Sequence, residues 1–333
     1  MSEKTFLATT GQGLARATCG TGDEWTVESL LPDQQVCCLA ADPLNPAVIY
    51  AGTQGNGILG SNDGGKTWRS LGLAEQIVKA LAVSRTQPGT VYVGTKPARL
   101  FVSRDNGVSW AELAAFRRIP GRWFWFSPAE KPYRAYVQAI ALSPTDSQRI
   151  VVGIEFGAVV QSLDGGESWT GHRRGALRDC HSLTFHAVNG DWVYESGGSG
   201  AGVSVSRDAG ATWTQPQEGL DRHYGWAVAA DSARPDVWYA SVSPAPWKAH
   251  SEHNAQAVIV RSIGGAPWQP LTGGLPQPLN HMLYALLTAP DAPGHVYAGL
   301  SHGEVWHSTD HGDTWQQLPL NVGSIHRALL LLT

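Results

Sequence analysis

Apolar and polar residues alternate along this chain in short runs of roughly four to seven, broken by Gly, Pro, Asn and Asp. No stretch keeps a 3.6-residue apolar period for more than about ten residues, so the pattern predicts an all-β protein. One unit reads as four strands, Val36–Ala41, Ala47–Thr53, Gly57–Ser61 and Thr67–Leu71. The first strands of successive units align as Val36-Cys37-Cys38-Leu39-Ala40, Val78-Lys79-Ala80-Leu81-Ala82, Val137-Gln138-Ala139-Ile140-Ala141 and Cys180-His181-Ser182-Leu183-Thr184. Gly225-Trp226-Ala227-Val228-Ala229 and Leu283-Tyr284-Ala285-Leu286-Leu287 continue the series. These strands are rich in Ala and other small residues, which suits strands crowded around a common axis.

The turn before the fourth strand repeats most strongly. Ser61-Asn62-Asp63-Gly64-Gly65-Lys66-Thr67-Trp68 follows the pattern Ser-x-Asp-x-Gly-x-Thr/Ser-Trp. The pattern returns at Ser103–Trp110, Ser162–Trp169, Ser206–Trp213 and Ser308–Trp315, with worn copies ending at Trp25 and Trp268. A carboxylate that caps backbone N–H groups, next to a Gly that takes φ > 0, makes a tight hairpin turn. The Trp that follows supplies a large apolar face for packing between sheets. The gaps between the seven tryptophans are 43, 42, 59, 44, 55 and 47 residues. A period in the forties, built from short strands, is the signature of a β-propeller.

At the N-terminus, Phe6–Thr10 and Leu14–Thr18 match a second and a third strand, with no first strand before them. Ile325–Leu331 fits the first-strand alignment, so the C-terminal strand is expected to close the ring. The prediction is one seven-bladed β-propeller of four-stranded antiparallel blades over residues 1–333, with insertions at 116–136 and 243–257.

The turn pattern resembles the Asp-box, or BNR, repeat of sialidases, sortilin-type receptors and photosystem II assembly factors. The resemblance spans nearly the whole chain and implies the propeller fold. It leaves function open, because the repeat serves enzymes, receptors and scaffolds alike. In those families the boxes lie on the face opposite the functional site, which makes Asp63, Asp105, Asp164, Asp208 and Asp310 turn residues. Arg118-Ile119-Pro120 is similar to the Arg-Ile-Pro of sialidases, but it follows the third tryptophan where the family's motif precedes the first box. Gly55-Asn56-Gly57-Ile58-Leu59-Gly60 matches a dinucleotide fingerprint, yet the repeat register makes it a hairpin rather than a strand-to-helix turn.

Charged residues make up 16% of the chain and the formal net charge is −4, so no general affinity for nucleic acid or for an anionic membrane is implied. No apolar run approaches the ~20 residues of a membrane span. Met1-Ser2-Glu3-Lys4-Thr5 lacks the apolar segment of a secretory signal, and Cys19, Cys37, Cys38 and Cys180 show no pairing framework. A cytoplasmic protein with free thiols is expected.

Geometry locates the candidate site. In a propeller, the loops entering the first strands and those joining strands two and three open on one face around the axis. The second residues of the first strands are Cys37, Lys79, Gln138, His181, Trp226, Tyr284 and, from the closing strand, His326. Flanking loops add Gln76, Arg134, Asp179, His223, Tyr224, His281 and Arg327, and the loops between strands two and three add Gln54, Lys96, Glu155, Glu195, His302 and Glu304. Varied polar and aromatic groups on a fixed scaffold are what a binding pocket needs. Four histidines from consecutive blades, His181, His223, His281 and His326, are candidate ligands for a divalent transition metal, or acid and base groups. Glu155, Glu195, Tyr284 and Arg134 are candidate catalytic residues. Lys79, Gln138, Trp226, Tyr224, Trp123, Arg122, Lys96 and Arg327 are candidate substrate contacts.

The first insertion combines Arg117, Arg118, Arg122, Lys131 and Arg134 with Trp123, Phe124, Trp125, Phe126, Tyr133 and Tyr136. Such a loop serves as a lid over the pocket or as an interface between subunits. His250 and His253, in the second insertion, are expected to be solvated. The expectation is an enzyme of hydrolase or lyase type acting on a small polar or carbohydrate-like ligand. The alternative is a non-catalytic scaffold or small-molecule-binding propeller that holds a partner.

Overall fold

The computed structural model describes residues 4–20 and 24–332. Seven antiparallel sheets form a seven-bladed β-propeller. Five blades have four strands; blades 4 and 5 have three regular strands each. In those two, the outermost strand shrinks to isolated contacts, a hydrogen bond from Thr170 N–H to Gln161 O and a single bridge between Val205 and Thr214.

The ring closes through the C-terminus. Leu329–Leu332 pairs antiparallel with Thr5–Thr9, in the register Phe6 to Leu331 and Ala8 to Leu329. The regular strand starts four residues later than the alignment predicts. Residues 325–328 instead anchor the crossing, with the Thr9 hydroxyl accepting from the N–H groups of Arg327 and Ala328.

Five turns share one hydrogen-bond pattern between Ser, Asp and Ser or Thr, and in four of them the Trp indole also donates to the turn glycine, Trp110 donating instead to Leu71 O. In blade 2 the Ser61 hydroxyl donates to Asp63 Oδ1 at 2.7 Å, and Asp63 accepts from the N–H groups of Lys66 and Thr67 and from the Thr67 hydroxyl. Gly65 N–H donates back to Ser61 Oγ, and the Trp68 indole donates to Gly65 O. Asp105, Asp164, Asp208 and Asp310 accept the same bonds from their own Ser or Thr partners. Hydrogen bonds from Ser109 and Ser103 hold the Asp105 carboxyl down to about 2, so it stays ionised and accepting at every ordinary pH. The worn turn before Trp25 lies partly outside the described residues. The one before Trp268 still buries its indole, which donates to Pro216 O and packs 4.5 Å from Trp238.

The inner strands carry the feature that positions the site. Pairing with the second strand slips in each of six blades, by one residue between Val36 and Cys38, Val78 and Ala80, Val137 and Ala139, Cys180 and Ser182, and Leu283 and Ala285, and over two residues between Gly225 and Val228. A bulge leaves one residue unpaired and re-aims its side chain. The skipped residues include Cys37, Lys79, Gln138, His181, Trp226 and Tyr284, and all of these side chains line the space along the axis.

Candidate functional site at the top of the axis

A cavity of about 970 Å³ opens at the top of the ring, and a narrower space of about 200 Å³ continues down the axis. The first insertion, through Pro120, Phe124, Trp125 and Pro128, forms one wall of the cavity. Arg122 bolts this wall in place, its guanidinium donating to Phe116 O and Ala98 O and lying 5.5 Å from the Trp125 ring centroid. The opposite wall is aromatic. The Trp226 ring packs tilted against Tyr284 and His181, with centroids 5.0 Å and 4.5 Å apart.

Three polar side chains meet in this cavity, Glu155, Asp179 and His181, all buried. One donor atom from each lies within 4.8 Å of the other two. Glu155 follows the second strand of blade 4 (Ile150–Ile154), and Asp179 directly precedes the inner strand of blade 5 (Cys180–Phe185). Neighbouring blades thus bring the carboxyls together. Phe156, the next residue, has φ +46°, an uncommon conformation for so bulky a side chain. In this turn Phe156 N–H donates to Asp179 Oδ1 at 3.4 Å.

Electrostatics at this point are unusual. No Lys or Arg nitrogen lies within 4.0 Å of either carboxylate among the described residues. Burial first, and then the Asp179 charge, pushes the Glu155 carboxyl well above the ordinary range, and burial pushes Asp179 up as well. Burial also lowers His181 to about 4, so its imidazole is neutral. His181 Nδ1–H donates to Gly225 O at 2.7 Å, which leaves Nε2 as the unprotonated nitrogen. That nitrogen faces Asp179 Oδ2 at 3.7 Å and Glu155 Oε2 at 3.9 Å.

A second polar group crosses the cavity. His250, from the second insertion, sits between two tyrosines, with Nε2 2.8 Å from the Tyr224 hydroxyl and Nδ1 2.8 Å from the Tyr284 hydroxyl. A neutral imidazole between two hydroxyls accepts from one and donates to the other. His250 thus lines the cavity while staying exposed to solvent, as expected of a loop histidine.

The other candidates divide clearly. Tyr284, Tyr224, Trp226, His181, His326 and Arg327 line the cavity, while Lys79 and Gln138 line the axial space below it. Arg327, not His326, occupies the closing strand's place in the axial ring, one residue later than the alignment gives. His223 is exposed and outside the cavity. His281 packs tilted against His302 with ring centroids 3.8 Å apart, in a separate group with His253, so the four predicted histidines do not converge. Arg134 is exposed, and Trp123 is 76% exposed and does not line the cavity. Arg122 lies behind the wall. Glu195 is buried inside blade 5, where it accepts from Leu177 N–H and the Ser204 hydroxyl.

Lys96 and Lys79 share one partner. Glu130 of the first insertion lies 2.6 Å from Lys79 Nζ, 3.7 Å from Lys96 Nζ and 3.9 Å from Arg327. Lys96 Nζ also donates to Glu130 O at 2.8 Å. These two lysines anchor the insertion.

No family model and no curated protein matches this sequence. Solved structures do resemble it. The GH74 xyloglucanase from Xanthomonas campestris matches 93% of the chain at 19% identity with a TM-score of 0.72. An ancestral GH74 enzyme matches 84% at 20% identity with a TM-score of 0.63. YCF48 bound to D1 peptide matches 85% at 16% identity with a TM-score of 0.56. The likeness is one of fold. The chain spans only 52% and 38% of the two GH74 enzymes, but 81% of YCF48. Among the described residues, no helix is long and apolar enough to cross a membrane.

Proposed function

We propose that this propeller is an enzyme of hydrolase or lyase type, with Glu155, Asp179 and His181 as its reacting centre. One observation carries the reading: two buried carboxyls and an imidazole nitrogen converge in an aromatic-lined cavity with no lysine or arginine against them. Burying unpaired carboxyls is costly, and such groups concentrate where chemistry needs them. A protonated carboxyl beside a carboxylate can give a proton to a leaving group and take one from a nucleophile.

The ligand class follows from the walls. Trp226, Tyr284 and Trp125 offer flat apolar faces, and the hydroxyls of Tyr224 and Tyr284 offer hydrogen bonds beside them. A sugar ring or another small, hydroxyl-bearing molecule suits both. GH74 enzymes among the similar folds support this class, though the carboxyl oxygens here approach closer than the ~5–5.5 Å typical of a retaining glycosidase pair. The test is turnover of a panel of aryl glycosides, aryl esters and uronate-containing oligosaccharides. Glu155→Gln and Asp179→Asn should each lower the best rate by about 100-fold or more, with the melting temperature little changed. Wild-type protein that turns over nothing in the panel, with Mg²⁺, Mn²⁺ and Zn²⁺ supplied in turn, contradicts the reading.

A scaffold is the second reading, favoured by the exposed aromatics Trp123, Phe124 and Trp247 of the two insertions. YCF48 with its bound peptide shares this fold. Under that reading, peptide binding is lost when these three rings are replaced, while Glu155→Gln leaves it intact.

A further inference from the structure

We propose that Glu155, Asp179 and His181 bind a divalent first-row transition metal ion, with Asp179 Oδ2, Glu155 Oε2 and His181 Nε2 as its three protein ligands. The inference deepens the reading above, because it names the cofactor of the same centre.

The donor set comes first. One neutral imidazole and two carboxylates suit Mn²⁺, Fe²⁺, Co²⁺ or Zn²⁺ better than a soft, thiolate-seeking ion. The cysteine nearest in sequence, Cys180, is buried and directs its sulfur to Ser182 O.

His181 is already fixed as a metal-binding histidine is. Ligating imidazoles almost always donate their other N–H to a carbonyl or carboxylate, which sets tautomer and ring orientation. Here Nδ1–H donates to Gly225 O at 2.7 Å, and the ring is clamped by Trp226 and Tyr224. Nε2 has no hydrogen-bond partner among the described residues, although the side chain is only 2% exposed. Asp179 is oriented in the same way. Its Oδ1 accepts from Phe156 N–H, which leaves Oδ2 to face the imidazole.

Gly198 completes the cradle. A Cβ at this position would lie 2.0 Å from Asp179 Oδ2 and 3.1 Å from His181 Cε1. Any side chain would occupy the space beside the donors.

The distances allow closure onto an ion. Adjacent ligands of an ion bound at about 2.1 Å lie about 3.0 Å apart. The gaps of 3.7 Å and 3.9 Å from Nε2 shorten to that value by less than 1 Å each, and the carboxylate oxygens, within 4.8 Å of each other, close by up to about 1.8 Å as the two carboxylates rotate. An ion at this point also supplies a positive charge in direct contact, which neither carboxylate has from a Lys or Arg within 4.0 Å among the described residues. Three protein ligands leave positions open towards the cavity, where water and a ligand hydroxyl or carbonyl can bind.

Direct binding is the test. Untagged full-length protein is stripped with EDTA, dialysed and titrated with Mn²⁺, the free ion being read by electron paramagnetic resonance, and Zn²⁺ is then added as competitor. One equivalent should bind with a dissociation constant in the micromolar range or tighter. Asp179→Asn, Glu155→Gln and His181→Ala should each weaken binding by about 30-fold or more. His223→Ala, exposed and outside the cavity, should bind as the wild type does. Circular dichroism checks each fold; if His181→Ala does not fold, the two isosteric carboxamide variants carry the test. No binding by the wild type at about 1 mM of either ion overturns the proposal. Equal binding by the ligand variants, or loss only on His281→Ala, overturns it too, by putting the ion elsewhere. Binding is read without turnover, so a metal-free but active enzyme refutes the ion and not the reaction, and an inactive metalloprotein the reverse.

Discussion

Replacing Glu130 with Gln removes the counter-charge of a buried cation cluster. Lys79 and Lys96 side chains are 0% and 1% exposed, and the Glu130 side chain is 28% exposed. At an effective dielectric of about 20, the attraction is about 6 kcal/mol at the Lys79 distance and about 4 kcal/mol at each of the two longer ones. Desolvation and mutual repulsion of the three cations offset most of this. Removing one partner of a buried ion pair costs about 3–5 kcal/mol. Solvent reaches Glu130 in part, so about 3 kcal/mol is expected, with a fall of roughly 5 °C in Tm. Urea unfolding followed by tryptophan fluorescence reads the difference, and Glu28→Gln is the control. Glu28 pairs with Arg16 but is 51% exposed, so its loss should cost under about 1 kcal/mol.

The pH dependence gives a second check. Burial raises the Glu130 carboxyl, but Lys79, Arg327 and Lys96 outweigh it and hold the carboxyl below its ordinary value. A carboxyl depressed in the folded state contributes fully above its unfolded value, near 4.3, and loses that contribution as the pH falls through the folded value. The gap between wild type and Glu130→Gln should therefore be full at pH 7 and shrink steadily below about pH 4. A Glu130→Gln variant within about 0.5 kcal/mol of wild type at pH 7, with no pH trend, refutes the reasoning.

Removing Ser324–Thr333 strips blade 1 of its inner strand and should give insoluble or strongly destabilised protein; a soluble truncation with unchanged Tm contradicts closure. Trp213→Ala and Trp268→Ala, 5% and 3% exposed, should each lose about 3–5 kcal/mol in urea unfolding. Comparable cost at Trp268, despite its worn turn, separates burial from turn sequence as the cause. Replacing Arg122–Phe126 with a Gly-Ser linker removes part of the cavity wall, so ligand affinity or turnover should fall at constant molar mass in light scattering. A drop in molar mass with function intact identifies the insertion as a subunit interface instead.

The fold was legible because its determinants are local. An Asp, a Gly and a Trp at fixed spacing specify one turn, and repetition specifies the ring. The site was legible only in part, because its determinants are not local. The closing strand was placed one residue early in the axial ring because residues 325–328 anchor the crossing before regular pairing starts at Leu329. Glu195 looked equivalent to Glu155, yet Phe185 pairs with Val193 as Leu142 pairs with Ile150, which aligns Glu195 with the core residue Val152 and Gly198 with Glu155. That alignment explains both the burial of Glu195 and the space beside Asp179. His223 and His281 belong to loops whose paths the repeat does not dictate. Asp179 stood among the flanking residues; its position directly before the inner strand of blade 5, facing Glu155 of blade 4, was the signal for a carboxyl pair. His250 gave no signal, since an insertion folding back between Tyr224 and Tyr284 has no counterpart in the other blades.

Product analysis tests the central claim most directly. Wild type, Glu155→Gln and Asp179→Asn, matched for Tm, are incubated with a pool of oligosaccharides and small hydroxy-esters, and the products are read by mass spectrometry. New products with wild type alone, reduced by about 100-fold or more in both variants, are the predicted result. Identical product spectra from all three proteins would contradict a reacting centre at Glu155, Asp179 and His181.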